Sequence, residues 1–236
     1  MATCPVLIFC CAGNRPLTTI AVASGFRHGA QLPDTVYTDV APLYFADQNW
    51  KRPNRTAYME ALAKHRPTQA TVLDLEREDQ LDEVLNWAEE AAQHVSQVTI
   101  VPKVCGIIQH LPHTIAGAQI ILGYSVPTRY AGTEVPVWEF AGWPVHLLGG
   151  SPRAQMRLVH YLNVTSADGN FASRMATRLC AFWTPTPVPA KNKHWPTLSE
   201  ADGRPWDGDT PAYIEAFRRS CTSIAAAWHK LYGGEP

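Results

Sequence analysis

Residues of unlike chemistry stand at the ends of short apolar runs throughout this chain. Reading only those ends gives Asn14, Asp47, Asp74 with Glu76, Lys103, Gly123 with Ser125, Gly149-Gly150-Ser151, and Asp168 with Asn170. No HxH pair, H-E-x-x-H sequence, cysteine cluster or Walker loop accompanies them, so neither a metal nor another cofactor is expected. Carboxylates working without a metal suit acid/base or nucleophilic chemistry at a sugar carbon. One Asp attacks the anomeric carbon, and a second carboxylic acid protonates the leaving group. A third carboxylate can accept hydrogen bonds from the amidine edge of a base. The blander role for each is a helix cap or a partner for Arg. The Gly-Gly-Ser-Pro stretch opens a helix and could hold a phosphate on its amides, although Gly-Gly also simply turns the chain.

The elements that must position these residues alternate. Apolar, β-branched runs at 5–14, 68–76, 97–104, 118–127, 144–152 and 162–170 read as strands buried on both faces, with 35–41 a weaker seventh. Helices are expected at 54–65, 78–95, 151–162 and 212–232, with Asn54 and Ser151-Pro152 as start signals. Strands alternating with helices imply a parallel sheet. Seven runs in 236 residues fit a compact (β/α) TIM-like barrel, trimmed or short of a helix. The barrel is expected over residues 1–183, with 184–236 a Pro-rich loop and a helix packing back on it. In such a barrel the listed residues all fall at the carboxyl ends of the strands, where the chemistry sits.

Composition limits the partners. The net charge of −1 provides no global basic field for nucleic acid, although twenty Lys and Arg leave room for a local basic face. No apolar stretch has the length of a membrane span, and the N-terminus has no basic leader region. The six cysteines form no C-x-x-C pair, and Cys10 and Cys11, inside an apolar run, read as small buried hydrophobes, so a cytoplasmic protein is expected.

The order of motifs resembles the barrel of tRNA-guanine transglycosylases and of the related phage enzymes that place deazaguanines in DNA. "YFADQNW" stands where that family carries an acid/base Asp, "VLDLE" where it carries a base-reading Asp, and "IVPKVCG" where a Gln contacts the base. "ILGYSV" resembles its Gly-Gly-Leu strand, "HLLGGSP" its glycine turn and helix, and "VTSADGN" the strand that ends in the nucleophile. The likeness covers roughly residues 40–175. It implies Asp168 as nucleophile, Asp47 as acid/base and Asp74 as base reader. It further implies Gly123 as a backbone contact and Gly149, Gly150 and Ser151 as a phosphate or ribose cradle.

The chain departs from that pattern at Gln48-Asn49, where the family has glycines, at Lys103 beside the base-reading position, and in lacking the zinc-binding cluster. As a whole it also resembles a family of actinobacterial and phage proteins sharing "EFAGWPVHLLGGSP" and "SADGN", which points to phage DNA as a substrate.

The resulting expectation is an enzyme exchanging a purine or deazaguanine base at an N-glycosidic bond in nucleic acid, DNA or tRNA. A free nucleotide or phosphosugar enzyme, or a non-catalytic binder on the same barrel, is the alternative. A partner chain could complete the polynucleotide site. Arg129 and Asn170 are further expected substrate ligands. Lys51, Arg52, Arg55, Lys191 and Lys193 are either phosphate contacts or solvated loop residues. Trp50, Trp138 and Trp143 either stack on a base or anchor loops. His110 and His113 read as loop residues.

Overall fold

Eight strands pair edge to edge in chain order, each parallel to the next, until the last meets the first. The computed structural model describes residues 4–10, 13–128, 132–186 and 195–233. Its strands are β1 (Val6–Cys10), β2 (Arg27–Leu32), β3 (Leu43–Gln48), β4 (Gln69–Leu75), β5 (Gln97–Pro102), β6 (Thr114–Ile115), β7 (Ala118–Ser125), β8 (Pro144–Leu148) and β9 (Asn163–Asp168). β5 pairs with β7 from Gln97↔Gln119 to Ile100↔Leu122, and β6 is a two-residue antiparallel addition to the edge of β7. Val6↔Ser166, Leu7↔Ala167 and Ile8↔Asp168 close the ring. The fold is therefore a closed eight-stranded parallel TIM barrel.

Helices follow five of the eight barrel strands. α1 (Arg15–Ala23) follows β1 and starts where the Asn14 side chain accepts the Leu17 amide at 3.1 Å. α2 (Arg55–His65) follows β3 and starts on Asn54, which accepts the Ala57 amide at 3.1 Å. α3 (Leu81–Ala91) follows β4, α4 (Pro152–Leu158) follows β8, and α5 (Phe171–Leu179) follows β9. Among the described residues, the segments after β2, β5 and β7 contain no α-helix, only short 3-10 turns at Ile107–His110 and Val137–Phe140. The barrel is trimmed in these three places.

Two expected elements differ. Residues 35–41 form turns, not a strand, and the real strands β2 and β3 lie on either side of them. Alternation in "TVYTDVA" is a surface feature there, since Val36 is only half-buried and Thr38 and Asp39 are exposed. The helix expected over 78–95 ends at Ala91.

In the C-terminal stretch expected as loop and helix, α6 (Leu198–Asp202) is capped reciprocally by Thr197 and Glu200. α7 (Ala212–Leu231) packs on the barrel through Phe217, whose ring lies 5.0 Å from that of Phe9 on β1. Arg219 of α7 binds both carboxylate oxygens of Asp202, at 2.7 and 2.9 Å, and so fastens α6 to it. No helix among the described residues is long and apolar enough to cross a membrane.

The barrel interior is partly polar. Ser166 on β9 donates to Gln69 Oε1 on β4 at 3.2 Å, reaching across the lumen, and Gln69 Nε2 donates to Thr99 on β5 at 2.9 Å. Beside this strut Gly123 is buried, and a Cβ there would lie 2.7 Å from both Leu148 Cδ1 and Val101 Cγ2. Gly123→Ala is accordingly expected to destabilise the fold by about 1–3 kcal/mol. Thermal unfolding checks this; an unchanged midpoint would show that the lumen has slack.

Candidate active site

A cleft of about 600 Å³ opens at the carboxyl ends of the strands. Its size suits a small-molecule ligand or one nucleotide. Asp47, Asp74, Lys103, Gly149, Asp168 and Asn170 all line it. Residues spread over more than a hundred positions meet here because each stands at or just past a strand end.

Asp47 is the penultimate residue of β3. Its Oδ1 accepts the Thr71 hydroxyl at 3.0 Å, and Thr71 in turn accepts the Gln48 amide at 2.9 Å. Burial pushes the Asp47 carboxyl up to about 6; the neighbouring Asp74 adds to this, and Thr71 opposes it. Burial also raises Asp74, with Lys103 acting the other way, its Nζ 3.8 Å from Oδ2. Lys103 is oriented by donating to Ser125 Oγ at 2.7 Å, at the end of β7. A donor and an acceptor thus stand side by side at the cleft wall.

Asp168 ends β9 and keeps 15% of its side chain exposed to the cleft. Burial raises its carboxyl to about 7, helped by the charge of Asp47 and opposed by the Gly149 amide, which donates to Oδ1 at 3.2 Å. Gln155 on α4 ties the neighbouring strand ends together. Its Nε2 donates to Gly149 O at 2.8 Å and to Asp168 O at 2.6 Å.

Beneath Asp168 lies His146, fully buried on β8, its ring 4.8 Å from that of Phe45. His146 Nδ1 is 2.8 Å from Ser166 Oγ, whose own proton goes to Gln69. That direction makes Nδ1 the protonated nitrogen. Nε2 then carries a bare lone pair, has no hydrogen-bond partner, and lies 3.7 Å from Asp168 Oδ1. Burial lowers the imidazole to about 3, so in isolation it is neutral.

The remaining expected site residues separate. Gly123 lies in the packed lumen rather than in the cleft lining, because its lack of a side chain serves close packing. Gly150 and Ser151 line an adjoining groove, and the Ser151 hydroxyl caps α4 by accepting the Ala154 amide at 3.3 Å. Arg129, Lys191 and Lys193 lie outside the described residues. Arg55 is held by Glu90 at 2.7 Å and by the Asn86 carbonyl, away from the cleft. Trp50 is 60% exposed at the cleft, Trp138 is exposed elsewhere, and Trp143 is buried against His113 with rings 4.0 Å apart.

His146, Thr71 and Gln155 escape a reading of strand ends alone. For His146 the available signal is parity. In "PVHLL" it shares a face with Leu148, which points into the cleft. Among the described residues no three His, Cys, Asp or Glu side chains group so as to hold a metal ion.

A family described as "Family of unknown function (DUF6610)" matches residues 19–229. No curated protein matches the sequence. Among solved structures, the chain is similar to the YdjI aldolase from Escherichia coli K12. The TM-score is 0.54 and the identity 11%, over 98% of this chain and 92% of the other. At that identity the likeness is one of fold, and it reaches around the whole barrel.

Proposed function

The chain belongs to the DUF6610 family of unknown function, and from its strand-end acids we propose an enzyme that exchanges a purine-type base at an N-glycosidic bond. The observation that carries this reading is the meeting of Asp47, Asp74 and Asp168 around one cleft, two of them held near neutrality in their titration. The resemblance of the motif order to the tRNA-guanine transglycosylases supplies the reaction class. The YdjI likeness contributes only the barrel.

This reading gives each cleft residue a role. Asp74 and Lys103 offer an acceptor beside a donor, which suits the edge of a guanine-like base with its ring N–H groups and carbonyl. Asp47 adjoins them and, being partly protonated near neutral pH, gives its proton to the departing base as the C1′–N bond breaks. Asp168 sits beside the glycine turn, where the sugar would lie, and its carboxylate bonds to C1′. Its carboxylate form, which makes up a substantial share near neutral pH, is the reactive one, and the Gly149 amide favours that form by donating to Oδ1. An incoming base attacks C1′ from the emptied base site, the Asp168–C1′ bond breaks, and the proton of the incoming base returns to Asp47. The first half-reaction trades the N-glycosidic bond for a glycosyl ester and the second reverses the trade, so no energy source is needed.

The test is label exchange. The protein is incubated with labelled guanine or a labelled deazaguanine and with single-stranded DNA, duplex DNA or tRNA. Label in one polymer is expected, together with a covalent protein–strand adduct in acid-quenched samples that maps to Asp168. No incorporation of any base into any polymer would overturn the reading.

A further inference from the structure

The adjoining groove, of about 670 Å³, begins where the cleft ends. Asn170 lines both, and the glycine turn straddles them, with Gly149 in the cleft and Gly150 and Ser151 in the groove. The far wall is α5, which presents Arg174 and Arg178 one helical turn apart. Both are exposed, and neither makes an ion pair with any described residue. Phe171, Met175 and the 62%-exposed Leu179 provide apolar surface between and beside them.

Charge in this region is segregated. From residue 140 to 183 the sequence carries four Arg and a single carboxylate, Asp168, although the whole chain has a net charge of −1. Like charges one turn apart on a helix repel, whereas several other arginines of this chain have carboxylate partners, as Arg204 has Asp207 and Arg219 has Asp202. An unpaired arginine pair with apolar side chains between them, next to an active-site cleft, matches alternating phosphates and base faces.

We infer that this groove receives the polynucleotide strand flanking the nucleotide in the cleft, with Arg174 and Arg178 on consecutive phosphates. This rests on the proposed base-exchange reading and narrows it: the substrate is a polymer, not a free nucleotide. Phosphates fix the register, so the nucleotide beside them is delivered to Asp168 already oriented.

Fluorescence anisotropy with the full chain tests this on a labelled mononucleotide, trinucleotide and dodecamer, as DNA and as RNA, over a range of salt. Affinity is expected to rise steeply from the mononucleotide to the dodecamer. In R174A/R178A that gain should disappear while mononucleotide binding stays unchanged. The slope of log affinity against log salt should flatten by about 0.7 for each arginine removed, the value for single strands. R174K/R178K, which keeps the charges, should retain most of the gain, and circular dichroism verifies that both variants fold. Absence of any length dependence in the native chain, or its persistence in R174A/R178A, would overturn the inference. Length-dependent binding without exchange of any base would instead sink the reaction and leave the groove standing. Exchange on a free nucleotide alone would do the reverse.

Discussion

Asp168→Asn is expected to abolish base exchange and, in the same molecule, to make the protein harder to unfold above pH 7. The first effect follows from removing the proposed nucleophile. A carboxamide cannot form the glycosyl ester, and losses on the order of 10³-fold or more accompany such changes. The second follows from linkage. A carboxyl raised in the folded state keeps its proton while the unfolded chain has lost it. This contribution is complete below the unfolded value near 3.8 and is lost as pH rises through about 7. Above that point the native protein must hold an uncompensated buried charge, at about 1.4 kcal/mol for each pKa unit. Asn carries no such charge, can still accept the Gly149 amide, and can offer an N–H towards the bare His146 Nε2. The stability gap between variant and native chain should therefore open by a few kcal/mol between pH 4 and pH 8. Denaturant melts across that range measure it. A variant that is destabilised equally at every pH would mean that Asp168 is a structural acid, and that its place in the chemistry is wrong.

The glycine turn gives the second large effect, as a contrast between neighbours. Gly149 and Gly150 both adopt left-handed backbone, with φ of +67° and +76°. Any other residue there costs about 1–2 kcal/mol. A Cβ on Gly149 would meet open space, so Gly149→Ala should lose only that amount. A Cβ on Gly150 would lie 2.5 Å from Val126 Cγ1 and 2.8 Å from its Cβ, just past the end of β7. Neither atom is the far end of a flexible chain. Overpacking of this kind adds about 1–3 kcal/mol. Gly150→Ala should thus melt lower than Gly149→Ala by several degrees in a chain of this size. Because the turn aims the Gly149 amide at Asp168, exchange should fall more in Gly150→Ala as well. Equal melting points would show that the turn moves away from Val126 at little cost.

Much of this architecture can be read from the sequence, and the failures have physical causes. Six strands are apparent as apolar runs because residues on both of their faces are buried. β2, "RHGAQL", is not, since Arg27 is exposed at its start and His28 and Gln31 break the apolar run. The alternating segment beside it looks more strand-like while lying on the surface. α1 is hidden by its β-branched content, "TTIAV", which argues against a helix until Leu17, Thr18 and Ala21 are seen to be buried. The strand-end acids are legible because a barrel dictates where the ends must be. His146 is not, because a lone His within an apolar run reads as a core residue. Parity puts it on the face shared with Leu148, and the register of β8 against β9 then places it under Asp168. Gly123 reads as a substrate contact from motif order alone, whereas its surroundings make it a spacer.

The pairing of the first strand with the last has a consequence for synthesis. Asp168 is the terminal residue of β9, and its partner Ile8 leaves the ribosome long before it. Until β9 emerges, the nascent chain is an open sheet whose β1 and β8 edges are unpaired, and its acids have no enclosed cleft in which to be raised. A truncated product therefore carries only separate strand-end acids. Such long-range closure is slow, which leaves those two edges available to other chains in the meantime. The late closure that assembles the cleft is also the stage at which the chain is most exposed to aggregation.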